Sequence, residues 1–60
     1  MRMYDIHEHA KRCVELHGDK AELVASQKSQ ESERRGNETD ARDWRRVRAA
    51  IIEMRAPHHS

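Results

Sequence analysis

Apolar side chains recur along the chain at intervals of three and four residues, the spacing that gives an α-helix one apolar face. No stretch of strand length alternates apolar and polar residues. Glycine is rare, and the single proline is at position 57, so little interrupts a helix. The pattern predicts an all-α fold of three short helices, over about residues 4–17, 19–35 and 40–55, packed as an antiparallel helical hairpin or bundle.

The boundary between the first two helices is marked by Gly18. Glycine suits the position after a helix because it adopts a left-handed conformation without steric cost. Asp19 and Glu22 follow with the spacing of a capping box, which predicts that Asp19 caps the second helix. The first apolar stripe, widened by Val14, consists of Met3, Ile6, Ala10, Cys13 and His17.

An alternative arises because the same apolar spacing continues past Gly18 to Ala21 and Val24. In this alternative, residues 4–35 form one bent helix that pairs with the third helix as a two-helix hairpin. Gly18 inside such a helix costs only about 1 kcal/mol relative to alanine. The combination of a glycine and a capping box favours two separate helices that are divided at Gly18. The single bent helix remains the alternative.

Residues 26–40 contain no apolar side chain at all, and Ala25 and Ala41 flank them. Residues 26–35 are predicted to be the solvated extension of the second helix, in which Glu31 and Arg35 form a favourable (i, i+4) pair. The turn follows at Gly36, and Thr39 or Asp40 is expected to cap the third helix. This polar stretch leaves the first and third helices without a full third wall, which favours a partner chain.

The apolar residues of the three predicted helices define the expected core or interface. Ile52 lies off the main stripe of the third helix and, with Trp44, Arg48 and Arg55, suggests a second contact strip. In so short a chain the interface of a homodimer can serve as its core. The residues expected at the core or interface are Ile6, Cys13, Val14, Leu23, Val24, Trp44, Val47, Ile51 and Met54.

The order of these features resembles a family of small uncharacterised helical proteins of alphaproteobacteria, the sphingomonads in particular. The resemblance rests on "HG" after the first helix, "DKAELVA" at the start of the second and "ARDWRRVRAAIIEM" in the third. It implies a helical domain of unknown function, and the chain departs from it in its polar second helix. The matching positions are Ala10, Val14, His17, Gly18, Ala21, Ala25, Trp44, Val47 and Ala50.

Length and charge restrict the function further. Sixty residues form one domain at most, here 1–60 with a frayed tail at 56–60, and such a domain often needs a partner, metal or disulfide. Twelve basic and eleven acidic side chains give a net charge of +1, which disfavours a general nucleic-acid or membrane-surface binder. With one cysteine, no signal peptide and no membrane span, a cytoplasmic protein is expected.

Two groups of side chains carry candidate chemistry. His9, Cys13 and His17 are spaced by four on one helix, so neighbouring pairs are candidate zinc ligands. All three span about 12 Å and cannot reach one ion together. If there is no metal site, Cys13 is instead expected to be a small residue of the core. Four arginines of the third helix are nucleic-acid candidates, although acidic residues are interleaved with them: Arg42, Arg45, Arg46 and Arg48.

The sequence therefore predicts a non-enzymatic, cytoplasmic interaction or regulatory protein that acts through protein–protein contacts and associates with itself. No pairing of nucleophile, acid and pocket is apparent, and neither a cofactor nor a small-molecule substrate is expected. A nucleic-acid-binding regulator is the alternative, and a small zinc-binding protein is the second alternative.

Overall fold

The computed structural model describes residues 3–55, with side chains from residue 5 on. The elements are α1 (Met3–His17), a three-residue 3₁₀ turn (Gly18–Lys20), α2 (Ala21–Arg34) and α3 (Glu38–Arg55). The all-α prediction is confirmed, since these residues contain no strand. The predicted frayed tail at 56–60 lies outside the described residues.

The helical backbone forms two continuous stretches, 3–34 and 38–55, because no irregular residue separates α1, the 3₁₀ turn and α2. The prediction of three separate helices is wrong in this respect, and the alternative of a hairpin with a bent first helix fits. The bend occurs at Gly18, whose φ of 55° is left-handed. A residue with a side chain is strained there, which explains why glycine occupies the bend.

The predicted cap at Asp19 is wrong. Lys20 occupies the N-cap position of α2 and makes no side-chain cap hydrogen bond, while Asp19 lies inside the 3₁₀ turn. The physical reason is that helix leads directly into helix. The Ala21 N–H donates to the Gly18 carbonyl, so the preceding turn already supplies a backbone acceptor.

The end of α2 is a Schellman motif, the common glycine-dependent helix end. The Gly36 N–H donates to the Glu33 carbonyl at 3.0 Å, and the Asn37 N–H donates to the Ser32 carbonyl at 2.8 Å. Gly36 has a φ of 76°, as this motif requires. The turn predicted at Gly36 is confirmed.

The start of α3 lies two residues before the predicted bound at about residue 40. The helix begins at Glu38, and Asn37 is its cap, not Thr39 or Asp40. The Asp40 N–H donates to Asn37 Oδ1 at 3.1 Å, and Asn37 Nδ2 donates to Asp40 Oδ2 at 3.0 Å. Asp40 therefore completes a reciprocal cap from the third helical position.

The core is small and draws on both halves of the first stretch. Ile51 and Val47 of α3 are its largest fully buried side chains. Because residues from α1, α2 and α3 belong to one cluster, α1 and α2 both pack against α3. The cluster consists of Ile6, Ala10, Cys13, Ala21, Ala25, Val47 and Ile51.

The wall contributed by α2 is built from small residues. Ala21, Ala25 and Ser29 are spaced by four, face the same way and are all buried. The Ser29 hydroxyl donates to the Ser26 carbonyl at 2.7 Å, so its polar group is satisfied inside the helix. The prediction that residues 26–35 are only a solvated extension is therefore wrong at Ser29. The predicted ion pair between Glu31 and Arg35 is confirmed at 2.8 Å.

Candidate interaction surface

The predicted core or interface residues divide into three groups by exposure. The exposed ones, Leu23 and Met54, do not belong to the core of the single chain. Met54 lies in the last turn of α3. The 3₁₀ turn, which lies near the end of α3, contains no buried residue that could cover Met54. Ile6, Cys13, Val47 and Ile51 are buried, and Val14, Val24 and Trp44 are half-buried.

A polar contact joins the bend of the first stretch to the end of α3. Arg55 Nη2 lies 3.2 Å from Asp19 Oδ1, and Arg55 Nη1 donates to the Asp19 carbonyl at 3.3 Å. The contact places the last turn of α3 next to the 3₁₀ turn.

Four large apolar side chains are exposed around this contact. Leu16 is 75% exposed and Leu23 56%, and both lie within four residues of Asp19 along the chain. Met54 is 43% exposed and Ile52 40%, and both lie within three residues of Arg55. The four therefore lie near this contact along the chain, and we call this set of residues the apolar end: Leu16, Leu23, Ile52 and Met54 with the Asp19–Arg55 pair.

Sequence periodicity missed Leu16. A helix rotates by about 100° per residue, so Leu16 lies well off the stripe of α1 that Ile6, Ala10 and Cys13 define. One feature of the sequence could have identified Leu16 as a surface residue: it is a large apolar residue outside the stripe, two positions before the glycine that ends the helix. Ile52 was found by such reasoning, as part of a second strip.

The opposite end of the molecule, around the Gly36 turn, is polar. Exposed charged residues surround the turn there, including Arg34, Arg35 and Glu38. Arg45 Nη2 of α3 lies 3.0 Å from Glu33 Oε2 of α2, so an ion pair ties the two helices together near this end. Exposed large apolar side chains thus mark only one end of the described molecule.

The arginines predicted to contact nucleic acid are all exposed on α3. Arg45 forms an ion pair with Glu33, and the carboxylate partly neutralises the positive charge of the guanidinium. Asp43, one of the acidic residues expected to offset the arginines, is buried. The four exposed arginines are Arg42, Arg45, Arg46 and Arg48.

The predicted zinc ligands are not brought together. His9 is exposed and packs against Trp44 in a T-shaped, edge-to-face arrangement, with ring centroids 6.2 Å apart and planes inclined by 70°. Cys13 is buried and His17 is exposed. Within residues 3–55, no three His, Cys, Asp or Glu side chains are grouped so that they could hold a metal ion.

The environment of Cys13 favours the neutral thiol. Burial raises the pKa of the Cys13 thiol above its ordinary value, and the positive charge of Lys28 offsets this only in part. A cysteine nucleophile needs the opposite shift, since the thiolate is the reactive form.

Two shallow grooves lie along α1. One, of about 270 Å³, runs between α1 and α3 and is lined by Ile6, His7, Arg46 and Ala50. The other, of about 210 Å³, is lined by α1 residues alone, among them His9 and Arg12. Cys13 lines neither of these two grooves.

Across residues 3–55, no helix combines the length and apolar character needed to cross a membrane. Comparisons of the chain with protein-family models, with curated proteins and with solved structures found no match. The resemblance to the alphaproteobacterial proteins stays a prediction.

Proposed function

We propose that this chain is a small, non-enzymatic interaction or regulatory protein that acts through protein–protein contacts and associates with itself. The observation that carries the proposal is the apolar end. Burying one Leu, Ile or Met side chain completely contributes about 1.5–3 kcal/mol. Four such side chains, exposed together at one end, leave a substantial free energy for a partner to gain.

The size of the core supports association. Among the residues whose side chains the structure describes, only Val47 and Ile51 are large and fully buried, and the rest of the fully buried core is alanine. A domain of this length is marginal by itself, and burial between chains is a common remedy. A non-enzymatic role is supported by the raised pKa and the burial of Cys13, its one candidate nucleophile.

The test is the oligomeric state of the purified protein, measured by sedimentation equilibrium and by thermal melts over a wide range of concentration. Association raises both the mass and the melting temperature with concentration. Leu23→Glu introduces a charge at the apolar end without replacing a buried side chain. It should weaken association at least tenfold, which corresponds to about 1.4 kcal/mol.

The matched control is Gln30→Glu, which adds the same charge on an exposed position of α2, two turns away from Leu23. It should leave the association constant nearly unchanged. A wild-type protein that stays monomeric, with a melting temperature independent of concentration, contradicts the self-association. Equal effects of the two substitutions contradict the role of the apolar end.

We propose nucleic-acid binding by α3 as the second candidate, because Arg42, Arg46 and Arg48 are exposed on this helix. Binding through phosphate contacts weakens steeply as salt rises. Retention on duplex DNA at low salt, lost in Arg42→Glu/Arg46→Glu and reduced by added salt, supports this candidate. Absence of retention at low salt excludes it.

A further inference from the structure

The Asp19–Arg55 pair is open to solvent. The Arg55 side chain is 37% exposed and that of Asp19 is 99% exposed. An exposed ion pair of this kind adds little to the stability of a fold. Its charged groups therefore remain available for contacts with another molecule, and giving up the contact within the chain costs little.

The charge pattern at this end is complementary to itself. In a two-fold dimer both copies use the same patch, so residue i of one copy contacts residue j of the other, and the reverse holds as well. One acid and one base lie side by side here, with Arg55 Nη2 3.2 Å from Asp19 Oδ1. Rotation about a two-fold axis between them brings each acid opposite the base of the other copy.

The surrounding side chains suit the same arrangement. Leu16 and Leu23 lie on either side of Asp19 along the chain, and Ile52 and Met54 precede Arg55, so exposed apolar side chains accompany both charged residues. Apolar contacts of this kind supply affinity, and charge complementarity supplies orientation and excludes wrong partners. A partner of different sequence that matched only the acid or only the base would leave the other charge unmatched at the interface.

We propose that two copies of this chain pair about a two-fold axis through the apolar end, with Asp19 of each copy bound to Arg55 of the partner subunit. The proposal rests on the self-association proposed above and identifies its surface and symmetry. The two internal ion pairs, one in each copy, are replaced by two ion pairs between the copies.

A charge-swap experiment tests the exchange. In Asp19→Arg or Arg55→Asp alone, like charges face each other within and between copies, and self-association should fall at least about tenfold. When the two variants are mixed, every substituted position faces an opposite charge on the other copy. Association of the mixture should recover toward that of the wild-type protein, as measured by sedimentation equilibrium.

A double variant and a spectroscopic measurement control for effects on the fold. The double variant Asp19→Arg/Arg55→Asp restores the pair within one chain and should associate as the wild type does. Circular dichroism of both single variants shows whether the helices persist. If either single variant loses its helices, cross-linking replaces the charge swap. In a Cys13→Ala background, Asp19→Cys and Arg55→Cys chains should form mixed disulfides faster than either chain does with itself.

The outcomes separate this proposal from the general one. Wild-type association without recovery in the mixture, or with no preference for mixed disulfides, overturns the two-fold exchange and leaves self-association standing. Single variants that associate as tightly as the wild type also overturn the exchange. A wild-type protein that is monomeric at every concentration overturns both proposals.

Discussion

His9 of α1 and Trp44 of α3 meet edge to face, with ring centroids 6.2 Å apart and planes inclined by 70°. Edge contacts between aromatic rings are favourable because the positive ring edge meets the negative face. The contact ties the first half of the bent helical stretch to α3, at a position where the sequence suggested a metal ligand.

Replacing His9 should loosen this attachment. We expect His9→Ala to lower the free energy of unfolding by roughly 0.5–1.5 kcal/mol, the usual contribution of an aromatic pair. It should also shift the Trp44 emission to the red as the indole gains water. Urea unfolding at low protein concentration measures the change. Lys11→Ala, at an exposed position of the same helix, is the control, and equal losses in both variants argue against the ring contact.

The neighbours Ile51 and Ile52 provide a matched comparison of core and surface. Ile51 has no exposed surface, whereas Ile52 is 40% exposed at the apolar end. Ile51→Ala should cost about 2–5 kcal/mol of unfolding free energy, enough to unfold much of a marginal domain. Ile52→Ala should cost far less in the monomer and should mainly weaken association. Thermal melts combined with sedimentation distinguish the two effects, and similar melting temperatures for both variants contradict this assignment.

The reciprocal cap of α3 predicts a loss in Asn37→Ala. The side chain of Asn37 accepts the N–H of Asp40 and donates to the Asp40 carboxylate, and alanine can do neither. The expected cost is about 1 kcal/mol, measured by urea unfolding. Asn37→Ser keeps an acceptor and should recover most of the loss. If alanine and serine give the same stability, Asn37 is not the effective cap.

Substitution of Gly36 measures the cost of backbone strain alone, because an added side chain there meets no packing obstacle. A Cβ atom at Gly36 would meet no atom within 4 Å, so its φ of 76° is the only obstacle to substitution. Gly36→Ala should cost roughly 1–2 kcal/mol. Gly36→Asn should cost less, because asparagine visits the left-handed region more readily than other residues with side chains. Gly18→Ala should behave like Gly36→Ala, and a neutral effect of alanine at both positions contradicts the left-handed geometry.

The raised pKa of Cys13 makes stability fall in alkaline solution. The unfolded chain loses the thiol proton near its ordinary pKa of about 8.5, whereas the folded chain keeps it to higher pH. The unfolded state therefore binds fewer protons above that pH, and the stability contributed by the neutral thiol declines as pH rises. Below about pH 8.5 that contribution is complete.

Unfolding free energies measured from neutral pH to about pH 10 check this sign. The decline of the wild type should be steeper than that of Cys13→Ala, which lacks the thiol. The native protein should also react slowly with a thiol reagent and rapidly in denaturant. A thiol that reacts equally fast in both conditions contradicts the burial of Cys13.

Much of the backbone was predicted correctly from rules that involve only residues close together in the chain. Helical periodicity placed α1 within a residue of its observed bounds, and the left-handed preference of glycine placed both turns, at Gly18 and Gly36. The Glu31–Arg35 pair followed from helix geometry alone, since residues four apart lie on the same side of a helix. These features depend only on residues close together in the chain.

The same local rules failed where two signals competed for one boundary. Asp19 has the residue type and spacing of a cap, but the 3₁₀ turn supplies backbone acceptors instead, and Asp19 binds Arg55. Asn37, Thr39 and Asp40 are all capping residues, and only the position of the glycine turn decides which one precedes the first helical turn.

By itself the sequence determined that the protein is helical, where its glycines turn the chain, and which stripes of α1 and α3 face inward. Tertiary structure alone decided that α1 and α2 form one continuous stretch bent at Gly18, and that His9 meets Trp44. It also joined Asp19 to Arg55 and gathered Leu16, Leu23, Ile52 and Met54 at one end. The physical reason is that periodicity fixes the direction of a side chain around its own helix. Which other helix that side chain meets depends on the bend angle and on the small residues of α2, which set how closely the helices approach.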